Sequence, residues 1–188
     1  MKYDVILIGV SAGGMEALRT ILPHLPAKFQ LPIIIVQHIH PHSDGFLAFL
    51  LNRQCRIPVK VADEKEPILG GNVYIAPPNY HLLIEEDRTF ALSVDAAVNF
   101  ARPSIDVLFE SAAETFREKA IGIILTGGNM DGSMGLRRVK ELQGFAVVQA
   151  PETAEIPTMP LAALAATRVD LILPLDKIGP YISTLDKV

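Results

Sequence analysis

The sequence is short of three things, and each absence excludes a class of protein. It has a single cysteine, Cys55, in 188 residues, so no internal disulfide can form and no cysteine-built metal site is available. It has no surplus of positive charge: 17 Lys and Arg stand against 21 Asp and Glu, a formal net charge of -4 at pH 7. With the basic residues scattered as well, nucleic acid is excluded as a bulk partner, because a phosphate backbone needs an electropositive face. It also lacks a long apolar run at its start. The N-terminus "MKYDVILIGV" carries an acid at position 4 and reaches glycine at position 9, which fits neither a signal peptide nor a membrane span. A cytoplasmic protein with no membrane insertion is expected.

What is present is a 49% hydrophobic, 20% charged chain, the composition of one compact domain over 1–188. Apolar β-branched runs, each followed by an amphipathic segment, recur along it: "DVILIGV" before "GMEALRTILPHL", "LPIIIVQ" before "DGFLAFLLNR", "AIGIILTG" before "GSMGLRRVKELQ", "FAVVQA" before "PLAALAAT", and "VDLILP" before a last helix. Strands apolar on both faces that alternate with helices predict an α/β fold, a doubly wound, mainly parallel sheet with helices on both faces. Between 58 and 95 the pattern breaks into short pieces, "VKVADE", "NVYIAPP", "HLLIEE" and "FALSVD". These predict a hairpin or small antiparallel extension at the sheet edge.

In such a sheet, catalytic groups gather at the carboxyl ends of the strands, near the switch in strand order. Ser11, His38 and Asp131 follow three of the runs, and their types make a nucleophile, base and orienter set. Gly9, Val10, Ser11, Ala12 and Gly13 match the G-x-S-x-G elbow, which exposes a serine hydroxyl and offers backbone N–H groups to an oxyanion. The competing reading of this loop is a tight turn with Ser11 as a helix N-cap. A nucleotide reading loses its second feature twice. The second strand ends in Val36, Gln37 and His38 rather than an acid for a ribose, and no lysine follows Gly14 as a phosphate loop requires.

His38, His40 and His42 alternate in "QHIHPHS", but Pro41 interrupts them and no carboxylate cluster lies nearby, so no metal is expected and His40 and His42 read as solvated. His24 closes a helix, where contact with helix carbonyls is expected; His81, in the short-stranded stretch, has no assigned role. In "LTGGNMDGSMG", Asp131 reads either as a cap for the helix starting near Ser133 or, beside a serine and a histidine, as the carboxylate that fixes an imidazole tautomer. In "FARPSIDVLFESAAETF", Ser104 caps a helix with Asp106 in its first turn and Ile105, Leu108, Phe109 and Ala112 at core spacing. Arg102 has two open readings: a bridge across its loop, or a cation at the active rim that meets an acidic substrate.

"IGVSAGG", "VQHIHP", "GNVYIAPPNYHLLIE", "RPSIDVLFESAA" and "ILTGGNMDGSMG", in that order across essentially the whole chain, closely resemble the catalytic domain of the chemotaxis protein-glutamate methylesterases, the CheB type. The resemblance implies hydrolysis of glutamate methyl esters on methyl-accepting chemotaxis receptors, deamidation of receptor glutamines in many members, and no metal or organic cofactor. It carries the family's triad onto Ser11, His38 and Asp131. The backbone at Ala12, Gly13 and Gly128 becomes the candidate oxyanion site, and Arg53, Arg56, Lys60 and Arg102 become candidates for steering an acidic receptor helix. A non-catalytic docking relative of the same fold is the alternative. Two departures stand out. Ala12 replaces a second hydroxyl found in some members, and the chain begins almost directly with its first strand, where the familiar regulated form has a phosphoacceptor receiver domain. If Met1 is the natural start, either unregulated activity or control by a separate protein is expected.

Overall fold

A computed structural model describes residues 2–40, 43 and 45–187. In chain order its elements are β1 (Val5–Val10), α1 (Gly14–Ile21), β2 (Ile33–Gln37), α2 (Phe46–Asn52), β3 (Val59–Val61), β4 (Val73–Ile75), β5 (His81–Ile84), β6 (Phe90–Ser93), α3 (Ile105–Phe116), β7 (Ala120–Ile124), α4 (Ser133–Glu141), β8 (Phe145–Gln149), α5 (Thr158–Ala166), β9 (Leu171–Leu173) and α6 (Leu175–Ile182). Seven strands form one parallel sheet in the order β3-β4-β2-β1-β7-β8-β9. The chain builds outward from β1 to one side and then, from β7, to the other. The switch in strand order therefore lies beside β1.

Both faces of that sheet are apolar because both are covered. Ile6, Ile8 and Val10 of β1 pack with Leu18 and Ile21 of α1, Leu51 of α2 and Ile178 of α6. Val5 and Leu7 pack on the opposite face with Leu108 and Phe109 of α3, Leu136 of α4 and Ala163 of α5. In α1 the buried positions are Gly14, Ala17, Leu18 and Ile21, a spacing that lays one stripe on the sheet. Each fully buried Leu, Ile, Val or Phe is worth about 1.5–3 kcal/mol, so the two apolar faces outweigh local strand propensity and hold even three-residue strands in place.

The expectation for 58–95 is corrected in part. Among the described strands β5 and β6 alone pair antiparallel, which is the expected hairpin, and they stand as a separate two-stranded sheet instead of joining the main edge. β3 and β4 join the main sheet in parallel, Val73 opposite Ile33 and Val59 opposite Val73. Three-residue strands such as "VKV" and "VYI" carry too little alternation to reveal pairing direction; β4 takes the edge of β2, and all three of its residues are buried.

Two glycines bring α3 down onto the switch point. A Cβ on Gly9 would lie 2.3 Å from Ile105 Cγ2, and one on Gly132, whose φ is +89°, would lie 2.7 Å from the same atom. Ile105 is the first residue of α3. Without side chains at those two positions, the helix start reaches the loop that carries Asp131.

Candidate active site

Ser11, His38 and Asp131 follow β1, β2 and β7, three adjacent strands. The hydrogen-bond ladder runs one step past the strand ends and sets them side by side: Ser11 N–H donates to the Thr126 carbonyl (3.0 Å) and His38 N–H to the Val10 carbonyl (3.1 Å). The side chains then connect. Ser11 Oγ lies 3.1 Å from His38 Nδ1, and His38 Nε2 lies 2.8 Å from Asp131 Oδ2. An ionised carboxylate only accepts hydrogen bonds, so Nε2 carries the proton toward Asp131 and Nδ1 presents its lone pair to the serine hydroxyl. The imidazole is turned relative to the serine-protease arrangement, in which Nε2 faces the serine.

Asp131 is fully buried. Its Oδ2 also accepts from Ile105 N–H (2.6 Å), and its Oδ1 accepts from Ser104 Oγ (2.8 Å), Asn99 Nδ2 (3.1 Å) and Asp106 N–H (3.2 Å). Burial by itself raises a carboxyl, but His38, Ile105 N–H, Ser104 and Asn99 more than offset it and hold Asp131 below its ordinary value. The capping readings are settled by the same contacts. Helix α4 has Gly132 at its N-cap and α1 has Gly13, neither with a side-chain cap. Asp131 instead receives the first N–H groups of α3, where the helix dipole favours negative charge.

The sequence reading passed over a second ring of residues. Gln37 Nε2 donates to the carbonyls of Ser11 (2.9 Å) and His38 (3.0 Å), tying their backbones together. Its Oε1 is buried with no hydrogen-bond partner among the described residues, and a Cβ on Gly14 would come within 2.0 Å of it. Thr126 Oγ1 donates to the Ala12 carbonyl (2.9 Å) and accepts from Ile156 N–H (2.9 Å). His81, buried, accepts from Ser104 N–H through Nδ1 (3.2 Å) and donates to the Ala96 carbonyl through Nε2 (3.1 Å), so it fixes the start of α3 from behind. The available signal was position: each of these polar residues sits at or next to a strand end or helix start. Asp106 is nearly buried too, accepting from Gly135 N–H (2.7 Å) and Asn99 Nδ2 (2.8 Å).

Burial pushes the Asp106 carboxyl up to about 6; the Gly135 N–H and Asn99 oppose this, while the charges of Asp131 and Glu110 add to it. An acid whose folded-state value lies above its unfolded value of about 4 binds its proton more tightly when folded. Its contribution to stability is therefore complete below about pH 4 and disappears as pH rises through about 6. Urea unfolding across that window should show a flatter pH dependence for Asp106→Asn than for the parent chain. Identical slopes would mean that Asp106 titrates normally.

Two clefts flank the relay. One of about 470 Å³, largely apolar, opens on the Ser11 side between Met15, Phe46, Ile75 and Pro78; one of about 280 Å³ lies on the His38 side, with Asn99, Phe100, Arg102 and Asn129 in its wall. Arg102 fulfils the loop-bridging reading: its Nε and Nη2 donate to Asn79 Oδ1 and its Nη1 to the carbonyls of Val94 and Asp95. Lys60 is paired with Glu66 and Asp63, and Arg53 lies over the Phe49 ring. The backbone N–H groups of Ala12, Gly13 and Gly128 meet no acceptor among the described residues. His24 ends a short 3-10 turn, Leu22–His24, and its ring lies beside Gly179 of α6. His40 is exposed and His42 lies outside the described residues. Among the described residues no group of three His, Cys, Asp or Glu side chains is placed to hold a metal, and no helix is long and apolar enough to cross a membrane.

A doubly wound parallel sheet with a serine–histidine–aspartate chain at its switch point defines a class, that of α/β proteins with a serine-hydrolase-like site. Residues 6–182 match the CheB methylesterase family. This chain belongs to that family. It is 56% identical, over all of its own length and 97% of the relative's, to a Leptospira interrogans protein provisionally named protein-glutamate methylesterase/protein-glutamine glutaminase. It is 38% identical to a Trichodesmium erythraeum protein-glutamate methylesterase/protein-glutamine glutaminase, spanning 97% of this chain and about half (53%) of that one. The crystal structure of the Thermotoga maritima CheB methylesterase catalytic domain superposes with a TM-score of 0.93 at 34% identity, covering 98% of this chain and 100% of that one.

Proposed function

We propose that residues 1–188 form a single catalytic domain that hydrolyses glutamate γ-methyl esters on chemotaxis receptors in the cytoplasm, and deamidates receptor glutamines at the same site. The observation that carries this is the unbroken chain Ser11 Oγ, His38 Nδ1, His38 Nε2, Asp131 Oδ2, with contacts of 3.1 and 2.8 Å. In this reading Ser11 Oγ attacks the ester carbonyl while His38 Nδ1 takes its proton. Asp131 keeps the imidazole in the required tautomer and stabilises the imidazolium. The N–H groups of Ala12, Gly13 and Gly128 receive the oxyanion. His38 returns the proton to the leaving methoxide, or to the amine in deamidation, and water activated by His38 then releases the acid. The chemistry calls for no metal or cofactor.

Arg102, held at the wall of the His38 cleft, offers a fixed positive charge to an acidic substrate segment. The test is methanol release from methylated receptor and ammonia release from glutamine-bearing receptor by the purified chain. Release of both supports the full reading, and methanol alone restricts it to ester hydrolysis. Release of neither by folded protein would favour the docking-module alternative.

A further inference from the structure

We infer that Asn99 is a positioning residue for the Ser11, His38 and Asp131 relay: its side-chain amide braces Asp131 against the second buried acid, Asp106. This rests on the catalytic reading proposed above. One amide nitrogen carries two hydrogens, and the two go to two carboxylates: Asn99 Nδ2 lies 3.1 Å from Asp131 Oδ1 and 2.8 Å from Asp106 Oδ2. Those acids are 0% and 5% exposed. Like charges in so small a space repel. A neutral two-hydrogen donor between them gives each a partner while leaving Asp131 its charge, which a lysine or arginine there would neutralise at His38's expense.

The other ends of this brace are fixed. Asp106 Oδ1 accepts from Gly135 N–H in the first turn of α4 (2.7 Å), so that acid is anchored to the helix that directly follows the Asp131 loop. Asn99 itself sits in a tight turn in which Val98 and Ala101 exchange two backbone hydrogen bonds (3.1 and 2.9 Å), and Asn129 Nδ2 reaches its carbonyl (3.4 Å). Asn99 and Phe100 are both left-handed, with φ of 50° and 64°. Asparagine tolerates that region; phenylalanine does so at a cost. Phe100 projects fully into solvent, so its side chain recovers nothing within the fold. What the turn delivers to the interior is the Asn99 amide.

The functional link is rotation. The terminal torsion of an aspartate is soft, so the 2.8 Å contact from Asp131 Oδ2 to His38 depends on what holds Oδ1. Ser104, the Asp106 N–H and Asn99 do so, and of these only Asn99 also holds the neighbouring acid in place.

Asn99→Gly separates positioning from folding, because glycine suits the left-handed turn at least as well as asparagine. The expected result on methylated receptor is a kcat about 10- to 100-fold lower with KM within about twofold, a size set by analogy with outer hydrogen-bond partners that orient metal ligands. Labelling of Ser11 by a serine-reactive phosphonofluoridate should slow in parallel. Asn99→Asp, which puts a third carboxylate in the pocket, should be slower than Asn99→Gly. If Asn99→Gly melts below the assay temperature, Asn99→Ser, too short to reach both acids, is measured for the same outcome. A folded Asn99→Gly with parental kcat overturns the inference, as does a loss confined to KM. If the parent chain and Ser11→Ala hydrolyse no more ester than buffer, the catalytic reading fails and this inference falls with it; parental activity with an unaffected Asn99→Gly removes the inference alone.

Discussion

Ser11→Ala should abolish methanol release from methylated receptor, lowering kcat by about 10⁴-fold or more, the range for removal of a triad nucleophile. The expected loss is in kcat rather than KM, because the hydroxyl forms its decisive bond with the substrate only as the tetrahedral intermediate develops. Folding should hardly change. The Ser11 side chain makes one hydrogen bond, to a His38 nitrogen on a partly exposed ring, while the elbow itself is kept by backbone contacts to Thr126 and Gln37 that alanine leaves in place. A melting temperature near that of the parent, together with undetectable turnover and no phosphonofluoridate incorporation, would establish Ser11 as the nucleophile. An alanine variant within tenfold of the parent would rule that out.

Asp131→Asn should be almost as damaging to turnover, by about 10⁴-fold as when a triad carboxylate becomes an amide, and unlike Ser11→Ala it should also destabilise the fold. The amide has two orientations, and both are wrong. With its oxygen toward His38 and Ile105, its NH₂ faces Asn99 Nδ2 and the Asp106 N–H, both donors. With its NH₂ toward His38, it opposes the Ile105 N–H and selects the tautomer that places a hydrogen on Nδ1, where Ser11 requires a lone pair. Each buried donor left unpaired costs about 1–3 kcal/mol, so a urea midpoint corresponding to about 2–4 kcal/mol less stability is expected. Full stability combined with lost turnover would mean that these donors find other partners. Retained turnover would remove Asp131 from the relay.

The family match makes ester hydrolysis the economical reading, and the geometry adds what a family name does not: which imidazole nitrogen faces which partner. It also assigns the stretch "RPSIDVLF" a physical purpose. Its Ser104 hydroxyl and the N–H groups of Ile105 and Asp106 converge on one carboxylate, so the helix start of α3 serves as the cradle for Asp131. Gly9 and Gly132 are part of the same device, since side chains there would push Ile105 away.

The amino-acid sequence by itself determined the alternation of apolar runs and amphipathic segments, hence the doubly wound sheet, and it placed Ser11, His38 and Asp131 at strand ends. Those features are local: a strand buried on both faces is apolar along most of its length, and polar residues return where the chain leaves the core at the strand's end. Tertiary structure alone decided the remainder. His38 and Asp131 are 93 residues apart, and their contact depends on β2, β1 and β7 being neighbours, which follows from how the crossovers wind rather than from any spacing. The pairing of β3 and β4 into the main sheet, the use of Asp131 to cap α3 instead of α4, and the bridging of two buried acids by Asn99 have the same origin. Each arises where separate elements are pressed together by burial, and the hydrogen bonds that satisfy their buried polar groups exist only once that packing is made.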